Sequence, residues 1–428
     1  MGWHLQRSSR PRSGNRFRKS AGRRQHYGQG GLVRLRLFLV LMLLWTSSVQ
    51  AQVIDRDSRW QGVLTFTEKV LVPAGVTLRV ASGSHVLFDG GGLEVVGRLI
   101  AEQSEFSGDN WDGVTLLNCD ATTRLHEVTI RGAKTGLLVK GGAPQLEKLT
   151  LQGNQVGLEL RGKATGSLSS ARFVDNAKVG LFIKDESSTR VTDSLFRDNP
   201  KYGAYIYRSQ PAQFANNRFE LNGTGLMIAY HGTDPLVENN LFINNETAIQ
   251  VDRAARPVLR GNRLNDNRTG LYLYRRSDPV VQANLFNGNQ VAILVAYSSY
   301  PRIEENDFVE NPLAIKLEYQ SSTWEQTKGA SARSDELASQ TAFGGQGMRT
   351  VSEEQRQARQ LDGTIAAGNN WWGEPGTAEL DRGGASGNPS FIHDGKDQAT
   401  FREGDKDYPL DRVDFSPWSH KPLTEFSP

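Results

Sequence analysis

The sequence predicts an all-β chain, a right-handed parallel β-helix of ten or more coils of 21–24 residues, broken by one polar insertion. Three observations predict it. A large apolar residue recurs at Ile130, Leu151, Phe173, Phe196, Phe219, Phe242, Leu264, Phe286 and Phe308, with gaps of 21 to 23 positions. A second apolar residue stands five positions before each, from Leu125 and Leu146 to Val281 and Ile303. A third set follows a Gly or Ala as alternating pairs, from Leu137/Val139 through Leu226/Ile228 to Ile315/Leu317. Alternation means short strands with one face inward, and three such strands per coil close no core alone. Stacked coils do, with like residues repeating at about 4.8 Å along the axis.

Residues 1–51 read as a basic leader and signal peptide. Arg34 and Arg36 precede an uncharged apolar run, Leu37 to Trp45, followed by small residues that suit cleavage between Ala51 and Gln52. That run is short for a membrane span of about 20 residues, so no stable span is expected after cleavage. The basic stretch from Arg7 to Arg24 is long for such a signal; a start near Leu32 or Val33 would leave a compact one. The expected destination is a bacterial periplasm or the exterior.

Residues 52–110 are expected to form the N-terminal cap and first coils, and 111–319 the regular coils. Across the regular coils asparagine keeps the same register. Asn154, Asn176, Asn199, Asn222, Asn245, Asn267, Asn289 and Asn311 each lie three positions after the large apolar residue; Asn217, Asn240, Asn262, Asn284 and Asn306 lie two before it. Both files are assigned to structure, as stacked amides whose residues tolerate left-handed turns. The apparent glycosylation sequons at Asn222, Asn245 and Asn267 are by-products of the ladder. From Phe308 to Trp372, the next residue in register, is 64 positions, so about 42 residues are inserted, near 320–363. The insertion is polar, with a possible short helix at Ser352 to Gln360, and loops of this length are either functional, here as a lid over the end of the outward face, or disordered. Residues 364–428 supply a closing coil and tail.

Ten of the 50 basic residues precede Asp55, the first acid, so the rest of the chain is acidic by about seven charges, 40 basic against 47 acidic. Nucleic acid is therefore excluded as the expected partner. The lone Cys119 allows no internal disulfide. Nucleotide-binding, zinc-protease, redox and hydrolase-elbow motifs are absent, as are paired metal-ligand His and the glycine-rich calcium repeat. No cofactor or metal site is expected, and calcium is left open.

The segment VLVPAGVTLRVASGSHVLFDGGGLEVVGRLIAEQSEFSG, NWDGV at Asn110 to Val114, GNNWWG at Gly368 to Gly373 and VDFSPW at Val413 to Trp418 resemble secreted right-handed parallel β-helix proteins of pectate-lyase-like form. They also resemble periplasmic β-helix accessory proteins. The resemblance implies the fold. It leaves open polysaccharide lyases, hydrolases, epimerases, adhesins and accessory proteins of copper-enzyme maturation, because fold does not carry function.

One surface feature remains. Outward positions of the third strand and its turn carry Tyr205, Tyr207, Arg208, Tyr230, Arg253, Tyr272, Tyr274, Arg275, Tyr297 and Tyr319. Rings pack on sugar faces and Arg grips carboxylate or sulfate, so these are the candidate substrate-binding residues for an extended acidic polysaccharide. The alternative is a merely soluble strand face. Glycoside hydrolysis is disfavoured, because Asp185 and Asp252 lie three coils, about 14 Å, apart. A uronate lyase or epimerase would use a cation and a base; Tyr230, Arg208, Arg253 and Asp252 are the candidate catalytic residues. The expectation is a non-catalytic binding solenoid, with the lyase or epimerase as one alternative and a copper-maturation accessory role as another. Oligomeric state is not specified.

Overall fold

A computed structural model describes residues 51–329 and 361–424. The regular coils each contribute one short strand to each of three parallel sheets, here A, B and C, of fourteen, fourteen and twelve strands, sheet C ending at Asp307–Val309 while A and B continue. Every strand but the first and last of each sheet pairs with its counterpart one coil before and one after, as in a right-handed parallel β-helix. The first described strand of sheet A, Gln52–Val53, pairs with Val70–Val72. No described helix is long and apolar enough to cross a membrane.

The register is the one the periodicity implies. Phe173 pairs with Phe196, Phe196 with Phe219, Phe219 with Phe242 and Phe242 with Leu264 in sheet C. Sheet B aligns Leu125, Leu146, Leu168 and Val191, and sheet A aligns Leu158/Leu160 with Leu181/Ile183. These residues are buried in one continuous apolar core. Along it Phe196 and Phe219 stack at 4.4 Å, and Phe219 and Phe242 at 4.7 Å. In sheet A the residue before the inward pair is small, Gly or Ala, from Gly136 to Ala314 because the position faces the next coil: at Gly180 an added Cβ would lie 2.4 Å from the Gly203 carbonyl oxygen.

Both asparagine files are internal ladders. The Asn222 amide donates to Asn245 Oδ1 at 3.0 Å and Asn245 to Asn267 at 3.0 Å, while each also donates to a backbone carbonyl of the preceding coil. Asn240 and Asn262 continue the second file, which Asn306 passes to Asn370 at 3.0 Å. With Asn222, Asn245 and Asn267 buried, their sequons are spent on the ladder. The expected left-handed backbone falls one residue earlier than the ladder itself, on Asp175, Asp198, Leu221, Asn244 and Asp266. The amide must point inward to reach its neighbours, and the preceding residue makes the turn that aims it.

The inserted segment opens directly after the sheet A strand Leu313–Glu318, with a helical turn at Ser322–Trp324 running into Glu325–Gly329. The proposed helix at Ser352 to Gln360 lies outside the described residues. Both ends of the insertion meet at one point, where the Gly363 N–H donates to Ser322 Oγ at 3.0 Å and the Gln326 amide to the Leu361 carbonyl at 2.8 Å. Asp411 fixes this neck, accepting from the Ser322 N–H at 2.8 Å and from the Ser322 and Tyr300 hydroxyls at 3.1 Å. Arg276 and Glu325, both buried, add an ion pair at 3.6 Å.

The solenoid resumes in register after the insertion. Thr364–Ala366 joins sheet B, and Trp372 stacks on Phe308 at 4.7 Å. The helix Gly373–Gly383 follows, then Ile392–His393 on sheet A and an antiparallel hairpin, Thr400–Glu403 with Lys406–Pro409.

Candidate functional site

A sheet A strand presents two outward side chains before its chain turns toward sheet B. At the first outward position adjacent coils align Phe182, Tyr205, Met227, Gln250, Tyr272, Leu294 and Lys316. At the second, Lys184, Tyr207, Ala229 and Asp252 align in turn. Tyr274 stands at the same place one coil on, its N–H bonded to the Val251 carbonyl.

The residue that follows starts the turn, with φ near +50° in most coils. Through the first four coils of the file it is Asn118, Gly141, Gly162 and Asp185, the residue types that tolerate a left-handed backbone. Through the next six it is Arg208, Tyr230, Arg253, Arg275, Tyr297 and Tyr319, with φ of 51°, 96°, 54°, 48°, 51° and 51°. A bulky L residue in this conformation costs about 1 kcal/mol or more relative to Gly. Ring stacking offsets that for the tyrosines, at about 0.5–1.5 kcal/mol per pair. Arg253 has no ring beneath it to do so among the contacts of the described residues.

The predicted binding residues do not form one unbroken stripe. Phe182, Tyr202, Tyr205, Tyr207 and Tyr230 make one aromatic platform: Phe182 and Tyr205 stack at 5.1 Å, Tyr205 meets Tyr207 edge-on at 5.9 Å, and Tyr207 tilts on Tyr230 at 5.2 Å. Arg208 lies over the Tyr230 ring at 5.2 Å and has no carboxylate within ion-pair distance among the described residues. Tyr272, Tyr274, Tyr297 and Tyr319 make a second: Tyr274 and Tyr297 meet at 4.9 Å, and Tyr297 stacks on Tyr319 at 5.1 Å. Phe401 of the hairpin meets the Tyr319 ring edge-on at 5.5 Å and so closes this platform.

Between the platforms lie Met227, Gln250, Ala229, Asp252 and Arg253. Asp252 is not an outward, free carboxylate but is 4% exposed. It accepts the Arg253 N–H at 2.7 Å and Arg275 Nε at 2.8 Å, and a second Arg275 nitrogen grips its other oxygen. Arg275 in turn lies over the Tyr274 ring at 4.6 Å. The Arg253 side chain, 44% exposed, reaches Asp252 only at 3.9 Å. Of the cations predicted here, Arg275 is therefore spent on Asp252, whereas Arg208 and Arg253 face outward.

Burial also decides what the phenols do. It pushes the Tyr205 hydroxyl up to about 12, against the pull of Arg253, and raises Tyr272 and Tyr297 as well. These tyrosines stay protonated at neutral pH and act as apolar faces with hydrogen-bond donors. Proton abstraction needs a group that titrates near the working pH. The candidate catalytic set has Tyr230 beneath Arg208 and Asp252 held by two arginines, and no second carboxylate stands at Asp252's position in the coil before, where Ala229 lies. No group of three His, Cys, Asp or Glu converges among the described residues. Sequence reasoning missed Tyr202, the Asp252–Arg275 pair and the hairpin. Only the pair left a signal, a spacing of 23 residues that places Arg275 one coil beyond Asp252.

Two family profiles match parts of the chain: "Right handed beta helix region" over residues 86–242 and "Periplasmic copper-binding protein (NosD)" over residues 189–336. No curated protein sequence matches. Among solved structures, a double mutant of the periplasmic alginate epimerase AlgG shares 16% identity at a TM-score of 0.41, over 59% of this chain and 66% of that one, just under two thirds of its length. The A-module of the Azotobacter vinelandii mannuronan C-5 epimerase AlgE4 shares 13% at 0.36, over 63% and 83%. The Streptococcus pneumoniae surface adhesin PfbA shares 11% at 0.24, over 60% and 83%. Likenesses at this level carry no argument about activity.

Proposed function

We propose that this right-handed parallel β-helix protein is an exported, non-catalytic binding solenoid that holds an extended acidic polysaccharide along the outer face of sheet A and its turn. One observation carries the reading. Six consecutive coils, Arg208 to Tyr319, place arginine or tyrosine at a left-handed turn position that four earlier coils fill with Asn, Gly or Asp. Folding alone favours the latter residues there, and the replacements give a surface of rings and outward guanidinium groups suited to sugar faces and to carboxylate or sulfate. A polymer repeats along a solenoid as the coils do. The periplasm is the proposed compartment, in keeping with the leader and with the description of the second family profile.

Affinity gels and calorimetry with a panel of acidic polysaccharides, with absorbance of unsaturated products followed in parallel, test this. Binding without product is expected, weakened by Arg253→Ala and by Tyr274→Ala; accumulating product would establish the lyase, and no binding to any polymer would end the proposal. The lyase or epimerase reading is second because Asp252, the carboxylate of the candidate catalytic set, is engaged by the Arg253 N–H and by Arg275. The copper role suggested by the second family description has no group of three or more His, Cys, Asp or Glu residues to support it among the described residues.

A further inference from the structure

We infer that the face is two separate sugar-stacking platforms joined by a polar saddle, and that its ligand is an oligosaccharide segment long enough to span both, with an anionic group over the saddle. This rests on the proposed glycan-binding reading and narrows it. At the first outward position, rings stand at Phe182 and Tyr205 and again at Tyr272, while the two coils between carry Met227 and Gln250. Tyr205 and Tyr272 are thus three coils apart, about 14 Å along the axis. At the second position the same gap holds Ala229 and Asp252. The ring contacts obey the division: each platform is linked internally at 4.9–5.9 Å.

The saddle is charged but internally balanced at its base. Asp252 and Arg275 satisfy one another, and the cation that remains turned outward is Arg253, whose field reaches Tyr205. An anionic substituent between two stacked sugars meets Arg253 without displacing the Asp252–Arg275 pair. A single sugar fills one platform only. Once a chain spans both, the second contact becomes intramolecular, so affinity rises in a step rather than in proportion to length.

Size-fractionated oligouronates, and sulfated oligosaccharides of the same lengths, titrated against the wild-type protein test this. The expected result is weak, length-independent binding of the shortest fragments and a gain of about 100-fold at the length that spans both platforms. Tyr205→Ala and Tyr272→Ala should each remove the step and leave short-fragment binding at the other platform; Tyr205→Phe should keep it. Gln250→Tyr should lower the threshold length by joining the platforms. Comparing the two series tells whether carboxylate or sulfate sits over Arg253. A smooth rise with length, or a step that survives Tyr205→Ala and Tyr272→Ala in folded protein, overturns the two-platform inference while leaving glycan binding standing. Absence of binding at every length overturns both.

Discussion

Asp252 and Arg275, one coil apart, form a forked ion pair in which a buried carboxylate meets a half-buried guanidinium that also lies over Tyr274. The two sides of this pair are not equivalent. Arg275→Ala leaves Asp252 buried with only the Arg253 N–H and a distant guanidinium, a loss of about 3–5 kcal/mol where burial is complete. Asp252→Asn leaves an arginine that can turn to water, a loss of about 1–2 kcal/mol. Urea unfolding of both variants and of Asp252→Asn/Arg275→Gln checks the order, with the double variant expected closer to wild type than Arg275→Ala.

Tyr205 supplies a pH signature. Its hydroxyl ionises at about 12 in the folded chain against 10.0 ordinarily, because burial disfavours the phenolate. Between those values the unfolded chain loses the proton first, so this contribution to stability is complete below 10.0 and falls as pH rises toward 12. Tyr205→Phe should make that decline in urea midpoint shallower, and the tyrosinate absorbance titration should lose one late-ionising phenol while Tyr272 and Tyr297 still titrate late.

The apolar column tolerates no charge. Phe242 is fully buried between Phe219 and Leu264, so Phe242→Asp should cost several kcal/mol and unfold or aggregate the chain. Melting like the wild type would contradict the register.

The neck of the insertion separates what holds the fold from what it carries. Because Ser322, Gln326 and Gly363 close the loop at its base, replacing residues 330–360 with a short Gly-Ser link should leave the melting temperature unchanged. Ser322→Ala removes the hydroxyl that serves both Gly363 and Asp411, and should lose about 1–3 kcal/mol by chemical denaturation.

Asp411 gives the same neck a pH dependence. Burial raises its pKa from 3.8, outweighing the donors from Ser322, Tyr300 and Gln320. The folded state then holds the proton longer than the unfolded one, so the contribution of Asp411 is greatest below 3.8 and is lost as pH rises through its raised value. The stability difference between wild type and Asp411→Asn should accordingly widen in favour of wild type as pH is lowered from neutrality into that window.

The coils were legible because stacking makes each inward position repeat. Ile130 to Phe308 are set 21–23 residues apart by the length of one turn, and the amide ladders obey the same period, so a single register explains them all. The face was legible only as composition. Periodicity told which residues of sheet A point outward, hence Tyr205 and Tyr272, but it carries no side-chain direction in the turns, where Arg253 stands.

Sequence alone therefore determined the architecture of this protein, the coil boundaries and the return to register at Trp372, since each rests on local alternation and on the repeat length. Tertiary structure decided the site. That Arg275 is consumed by Asp252, that the tyrosines divide into two platforms, and that Phe401 joins the second depend on rotamers and on contacts between residues 22 to 82 positions apart. Burial then fixes which charges are paired and which phenols keep their protons, and burial is a property of the stacked coils rather than of any one of them.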